Sequence, residues 1–259
     1  MEKRVFVFLS LALMIGCLGV AKEAQATTLD LTTAGSSGSI GGAFFQQTNF
    51  EQSSTGTGVI NSFVRIQDDI EEGYNTDGRP LPLWPDVNTS PTFTHSLLLS
   101  VVPIVSLSGT DYREFLLDIN QTAPGTLLSL DKLMIFQESD PDLTGSLASL
   151  GTPLYDLDAG GDNWIKLNYI LNPGSGKGDV LVYIPNSLFN PSGGQYVYLY
   201  SRLGDNFTGN DGFEEWAICQ QVGGCGGGGT TNPPIPEPMS MLLVGSGLLG
   251  VLGLKGRKK

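Results

Sequence analysis

The sequence predicts an all-β fold, an antiparallel β-sandwich of jelly-roll or Ig-like type, between an apolar N-terminal leader and an apolar C-terminal helix. Three observations predict it. Between residues 27 and 222, short runs rich in β-branched and aromatic residues are separated by clusters of Gly, Pro, Asn and Asp. No long amphipathic helical pattern occurs in this segment. The long uncharged apolar stretches are confined to the two ends, at 5–20 and 239–254.

Seven runs in this central segment are predicted strands: 59–67, 93–102, 112–120, 127–136, 164–171, 180–184 and 196–203. In the run at 164–171, Ile165 and Leu167 alternate with Lys166 and Asn168, as on a strand with one buried face. Several short strands at regular spacing favour a sandwich. No fixed-period repeat is present, which disfavours a solenoid.

Charge and histidine content exclude several classes of function. The 259-residue chain has a net charge of −12, and a single histidine, His95. The segment 27–222 is close to −16, because it holds seven of the 14 basic residues and all but three of the 26 acidic ones. Such a surface disfavours nucleic acid and anionic lipid as ligands, and it favours solubility and cation binding. One histidine excludes a multi-histidine zinc site.

Residues 1–26 have the composition of a secretory signal peptide. Basic residues precede the apolar stretch, and Ala24-Gln-Ala26 forms a small-x-small cleavage site. We expect cleavage after Ala26, which would leave Thr27 as the mature N-terminus. The alternative is lipoprotein processing at Cys17, which follows Met-Ile-Gly, a poor match to a lipobox.

The C-terminal segment 236–259 has three parts in order. Pro236-Glu237-Pro238 is followed by the uncharged stretch 239–254 and by the basic cluster 255–259. The 16 apolar residues would span about 24 Å as a helix, less than the hydrocarbon core of about 30 Å. We therefore expect a marginal transmembrane helix, with the basic end on the cytoplasmic side.

These three parts resemble the PEP-CTERM sorting tail, also known as the ice-binding protein C-terminal domain. The resemblance implies a Gram-negative bacterium that makes extracellular polysaccharide. It implies recognition of Pro236, Glu237 and Pro238 by exosortase, a membrane protease that processes the chain for the cell surface or matrix. The alternative is a permanent anchor, in which the tripeptide is only a helix-excluding boundary. The body is similar to uncharacterised extracellular domains found with this tail, and this similarity supplies no site.

The segment 223–235 is rich in Gly and Pro and is predicted to be a tether between the body and the tail. Cys219 and Cys225 are the two cysteines that remain after signal cleavage. A local disulfide is expected in an oxidising compartment. A redox or metal role for this pair would require closer spacing or additional ligands.

Acidic and aromatic residues provide two candidate binding sites. Asp156, Asp158 and Asp162 lie in a Gly-containing loop and are candidate ligands for a structural Ca²⁺, the only cofactor expected. Ordinary β-turns explain the same residues. On the last predicted strand, the alternate residues Tyr196, Tyr198 and Tyr200 share one face and are candidates for stacking on sugar rings. Packing across strands and under loops is the alternative.

The sequence contains only weak indications of a catalytic site. His95 has no Gly-x-Ser-x-Gly or metalloprotease motif to accompany it. The acidic pairs at 68–69, 71–72 and 214–215 offer carboxylates for glycoside hydrolysis, but such pairs are common on solvated turns. We therefore expect no catalytic residues and an exported, non-enzymatic surface or matrix protein. The alternatives are a glycan- or calcium-binding surface module and, less favoured, a hydrolase that acts on polysaccharide.

Overall fold

The computed structural model describes residues 26–48, 60–68, 70–81, 84–174, 176–210, 212–219 and 225. Several predicted features lie outside these residues: the signal peptide up to residue 25 with Ala24, the tether apart from Cys225, the motif Pro236, Glu237 and Pro238, and the apolar stretch 239–254. Within the described residues, no helix is long and apolar enough to span a bilayer.

The first of two sheets contains seven strands. They are β1 Thr28–Asp30, β5 Glu71–Tyr74, β6 Leu97–Leu98, β9 Leu127–Glu138, β10 Tyr155–Asp156, β11 Trp164–Asn168 and β13 Tyr196–Leu203. The main path runs β1-β11-β9-β13-β5, while β10 pairs with β9 and β6 with β13. Every pairing is antiparallel except that of β1 with β11, which is parallel.

The second sheet also contains seven strands, and all its pairings are antiparallel. They are β2 Ser37–Ile40, β3 Ala43–Gln47, β4 Ile60–Ile66, β7 Ile104–Leu107, β8 Thr110–Asp118, β12 Val180–Pro185 and β14 Glu214–Cys219. The path runs β2-β3-β12-β8-β14-β4, with β7 beside β8. The described helices are four short 3-10 helices: Leu99–Val101, Leu147–Leu150, Tyr169–Leu171 and Asn186–Leu188. The predicted all-β, mainly antiparallel fold is confirmed.

One hydrophobic core joins the two sheets. It contains residues of the first sheet such as Leu199 and residues of the second sheet such as Phe115 and Trp216, all fully buried. On β11 the predicted alternation holds, because Ile165 and Leu167 are buried and their neighbours are half-buried. The core thus takes one face of β11, as the period-2 pattern requires.

The second sheet also carries a smaller apolar cluster that is separate from the main core. It consists of Val105, Leu116, Leu181, Tyr183, Ala217 and Cys219, with Phe44, Leu107, Tyr112 and Cys225 packed against it. Because the central strands β8, β12 and β14 contribute to both clusters, they are buried on both faces. This explains why their sequences contain apolar runs rather than strict alternation.

The strand predicted at 93–102 is wrong for most of its length. Only Leu97–Leu98 forms a strand there, and Leu99–Val101 turns into a 3-10 helix. Residues 90–94 form a turn in which the backbone N–H groups of Phe93 and Thr94 both donate to the Ser90 carbonyl at 3.0 Å. The end of the run at 164–171 is likewise a 3-10 helix, Tyr169–Leu171, rather than strand.

Candidate functional site

The tyrosine stripe of β13 lies beneath loops rather than at the surface. Tyr198 and Tyr200 are 1% and 3% exposed, and Tyr196 is half-buried. The Tyr198 hydroxyl donates to the Asp140 carbonyl at 2.6 Å and accepts from the Leu143 N–H at 3.2 Å. Burial raises the pKa of Tyr198 to about 12. Two of the three rings are therefore closed to a sugar, which corrects the expectation of an aromatic stacking surface.

Aromatic packing seals the same stripe from a second side. Trp84 packs edge-on against Tyr74 and Tyr200, with ring centroids 5.5 Å apart in each pair. The Tyr200 hydroxyl donates to Glu72 Oε2 at 2.7 Å. Burial, together with this carboxylate, raises the pKa of Tyr200 above its usual value. The stripe is thus part of the main hydrophobic core and is covered by loops, as the packing alternative predicted.

The acidic loop at 156–163 satisfies its carboxylates internally. Asp156 Oδ1 accepts from the Asp158 N–H at 2.9 Å, and Asp158 Oδ1 accepts from the Asn163 N–H at 3.0 Å. Asp162 is exposed. Among the described residues, the only group of three or more acidic, Cys or His ligand atoms within mutual reach is Glu114 with Cys219 and Cys225. Asp156, Asp158 and Asp162 therefore do not converge as a calcium site, and the loop has the geometry of ordinary turns.

Cys219 and Cys225 form a disulfide, with Cα atoms 5.5 Å apart. The Cys225 N–H donates to Glu114 Oε1 at 2.6 Å. Both cysteines pack on the smaller apolar cluster of the second sheet. Because both sulfurs are used in the disulfide, Glu114 has no thiolate beside it with which to hold a metal.

His95 has both ring nitrogens against backbone carbonyl oxygens. Nδ1 lies 2.8 Å from the Ser96 carbonyl and Nε2 lies 3.1 Å from the Ser62 carbonyl. The Ser96 hydroxyl donates to Asp77 Oδ2 at 2.6 Å, away from the imidazole. This arrangement ties the ring to strand β4 and to its own loop, and both nitrogens face backbone carbonyls rather than a serine hydroxyl.

Four carboxyl groups that the sequence placed on solvated turns or left unremarked are buried near one end of the core. Glu71, Asp118 and Glu214 are 0% exposed and Asp179 is 3% exposed. Glu71 lies on β5 of the first sheet and Glu214 on β14 of the second, and their carboxyl groups are within hydrogen-bonding reach of each other. The expectation that the pairs at 71–72 and 214–215 lie on solvated turns is therefore wrong.

Backbone amides and one side-chain amide hold parts of this acidic group. Asp118 accepts from the Gly176 N–H at 2.6 Å and from the Gly178 N–H at 3.0 Å. These two glycines have φ of +81° and +68°, the left-handed conformation that lets both amides point at one carboxylate. Asp179 Oδ2 accepts from the Ile119 N–H, and Glu214 Oε1 accepts from Gln121 Nε2 at 2.7 Å.

Other oxygens of the group receive no regular hydrogen bond from an N–H donor. They are both oxygens of Glu71, Oε2 of Glu214, Oδ1 of Asp179 and Oε1 of Gln121, all of them buried. The contact between Glu71 and Glu214 is therefore a hydrogen bond only when one of the two carboxyl groups carries a proton. Burial, reinforced by Glu214, raises the pKa of Glu71 far above its usual range. The Asp68 backbone amide offsets part of this shift, although no donor makes a regular hydrogen bond to either Glu71 oxygen.

Sequence reasoning missed this group because it assigned Glu71 and Glu214 to turns. One signal was present for Glu214, since the acidic pair at 214–215 leads directly into the apolar run Trp-Ala-Ile-Cys. Such a run favours a buried strand that would carry the acids into the sheet. Nothing in the sequence placed Glu71 opposite it.

Glu215 differs from its neighbour because it has a cationic partner. Arg65 donates to Glu215 Oε1 from Nε at 2.9 Å and from Nη2 at 2.8 Å. The guanidinium lies between the rings of Phe93 and Phe213, 3.5 and 4.2 Å from their centroids. Arg65 also lines an open groove of about 350 Å³ with Gln67 and polar residues of the segment 85–89.

No protein-family model matches the chain, and no curated protein or solved structure matches it.

Proposed function

We propose that the protein is an exported, non-enzymatic cell-surface or extracellular-matrix protein of a Gram-negative bacterium, sorted by an exosortase-type system. We further propose that its body is a β-sandwich of jelly-roll or Ig-like type that associates with extracellular polysaccharide. The observation that carries the proposal is the order of Pro236-Glu237-Pro238, the apolar stretch 239–254 and the basic cluster 255–259. In this proposal the C-terminal helix is an anchor at least until the protease acts.

The start of the folded body supports export with cleavage after Ala26. The first strand begins at Thr28, two residues after the proposed cleavage point. The Thr27 nitrogen donates to Asn163 Oδ1 at 2.8 Å, and the Thr27 carbonyl accepts from the Trp164 N–H at 3.2 Å. An α-ammonium group created at Thr27 would keep the bond to Asn163, because that nitrogen remains a donor.

The way the chain leaves the folded body supports the proposal that the body is tethered at its C-terminal end. The last strand, β14, ends at Cys219, and the disulfide to Cys225 fixes the chain against the second sheet. The Gly/Pro-rich segment 223–235 overlaps this point and leads to the proposed sorting motif. A structural disulfide at this position is consistent with the oxidising compartment outside the inner membrane.

The test is to change the tail and follow the protein in the native host or in a host that has an exosortase. Deletion of 236–259 is expected to release the body into the medium. Glu237→Ala is expected to leave an unprocessed, membrane-bound chain, and Thr230→Ala, in the tether, is the matched control. Mass spectrometry of the mature C-terminus of the wild type should place the end before the basic cluster. Retention of the deletion variant at the cell surface, or an intact wild-type C-terminus, would contradict the proposal.

A further inference from the structure

A pair of buried carboxyl groups joins the two sheets without a cation. Glu71 lies on β5 of the first sheet and Glu214 on β14 of the second, and both are 0% exposed. Their carboxyl groups are within hydrogen-bonding reach of each other. A carboxylate can only accept, so this contact is a hydrogen bond when one group keeps its proton and donates to the other. The two sheets are therefore linked here by a bond that depends on a proton.

The surroundings of this carboxyl pair favour retention of the proton. The titratable groups that face the pair or its immediate neighbours are Asp68 and Asp86 on either side of β5, Asp118 on β8, Lys177 and Asp179 before β12, Glu215 on β14 and Arg65 on β4. Lys177 acts on Asp179, and Arg65 is paired with Glu215. Among the described residues, neither cation forms an ion pair with Glu71 or Glu214. A second negative charge in the pair would thus be buried among like charges, which is costly.

We propose that one proton shared by Glu71 and Glu214 clasps the two sheets together, and that this clasp opens more readily as the pH rises. In the open state both carboxyl groups meet water and ionise near the usual value of 4.5. Burial raises the pKa of both groups in the closed state. Opening at neutral or higher pH therefore releases at least one proton. The equilibrium constant for opening then rises at least about tenfold per pH unit.

The elements that can open are β5 and the segment 84–89 that packs on it. β5 ends the main path of the first sheet, and its partner strand among the described residues is β13. Gly73 on β5 has no room for a Cβ against Val87. Val87 also bridges to Ile66, which lies opposite Glu214 on the neighbouring strand β4. Residues of this segment line the open groove beside Arg65, so the shape of the groove depends on the closed clasp.

The test is hydrogen–deuterium exchange of the full chain in detergent, read by mass spectrometry from pH 6 to pH 9. After correction for the pH dependence of amide exchange itself, the opening constant of 71–74 and 84–89 should rise at least about tenfold per pH unit. Strand β2, at the far edge of the second sheet, should show no such rise. Glu71→Gln and Glu214→Gln each keep an N–H donor that does not ionise, so either variant should remove most of the rise. Glu138→Gln, half-buried on β9, and Asp179→Asn are the controls and should retain it.

Two results would overturn the clasp. One is a wild type in which β5 and the segment 84–89 open equally often at pH 6 and pH 9. The other is a rise that persists in both glutamine variants or disappears in Asp179→Asn, since it would then belong to another group. If both glutamine variants fail to fold, the wild type and Asp179→Asn still decide, because the clasp requires the rise in both. The carboxyl pair is independent of the tail, so the outcome does not depend on the sorting proposal.

Discussion

Trp216 donates a hydrogen bond of 2.8 Å from its indole nitrogen to the Ser201 hydroxyl, inside the core. Trp216 lies on β14 of the second sheet and Ser201 on β13 of the first, and both are 0% exposed. Ser201 is therefore a polar residue on a core-facing position of a strand, and its partner comes from the opposite sheet. The bond is a direct polar link between the two sheets inside the core.

Removal of either partner should lower the free energy of unfolding. Ser201→Ala leaves the indole N–H unsatisfied and should cost about 1 to 3 kcal/mol. In a double-mutant cycle with Trp216→Phe, the two changes should be non-additive by about 1 kcal/mol, as expected for partners in one bond. Urea unfolding of the four proteins measures this. Ser106→Ala, at an exposed position, is the control and should stay within about 0.5 kcal/mol of the wild type. Strict additivity would mean that the bond does not stabilise the fold.

Asp179 should make the protein less stable as the pH rises. Burial raises its pKa well above the usual value of 3.8 in the folded state. The folded state therefore binds this proton more tightly than the unfolded state. The stabilisation is complete below about pH 3.8 and is lost as the pH rises through the raised pKa.

Asp179→Asn should remove part of this pH dependence. The variant keeps an oxygen that can accept from the Ile119 N–H and has no charge to bury. At pH 8 its free energy of unfolding should exceed that of the wild type by at least about 1 kcal/mol, and the gap should close toward pH 4. Urea unfolding at several pH values measures the difference. Asp162→Asn, at an exposed position, should follow the wild-type profile. A gap between variant and wild type that does not narrow from pH 8 to pH 4 would contradict the prediction.

The disulfide should stabilise the body modestly. Replacing Cys219 and Cys225 together with Ser should lower the free energy of unfolding by about 2 kcal/mol, since so short a loop restricts the unfolded chain only slightly. Urea unfolding with and without dithiothreitol measures this. The wild type in reductant should match the double variant, and the double variant should not respond to reductant. A response of the double variant would show that the reductant acts elsewhere.

The buried tyrosines should matter for stability rather than for retention in the matrix. Tyr198→Phe removes the hydroxyl that bonds Asp140 and Leu143 and should cost about 1 kcal/mol. Tyr196→Phe, on the same strand at a half-buried position, should cost little. Thermal melting and a polysaccharide pull-down measure the two properties. Loss of retention in Tyr198→Phe without loss of stability would restore the stacking hypothesis.

Strands with strict alternation of aliphatic and other residues were the easiest to predict from the sequence. The strand at 196–203 has the predicted bounds, because the apolar Val197, Leu199 and Leu203 alternate there with residues of the other face. The same alternation correctly placed Tyr196, Tyr198 and Tyr200 on one face. It carried no information about the loops that cover that face, since those loops are distant in sequence.

Short and acidic strands were missed for physical reasons. β2 contains Ser-Gly-Ser and β5 contains Glu-Glu-Gly, which are typical of turns. Their pairing partners in the sheets override these local preferences. The contact between Glu71 and Glu214 depends on how the two sheets face each other, and no period in a single strand encodes that. The buried acidic group therefore became visible only in three dimensions.

The position of the last strand decides how the body would respond to mechanical load. Tension applied to the chain beyond Cys225 passes through the sulfur–sulfur bond to Cys219, at the end of β14. That strand lies inside its sheet, between β8 and β4, and not at an edge. A pull along its axis shears both hydrogen-bonded ladders at once instead of unzipping them bond by bond. In a protein tethered by its C-terminus at a cell surface, drag would thus load an interior strand of the second sheet rather than an edge strand.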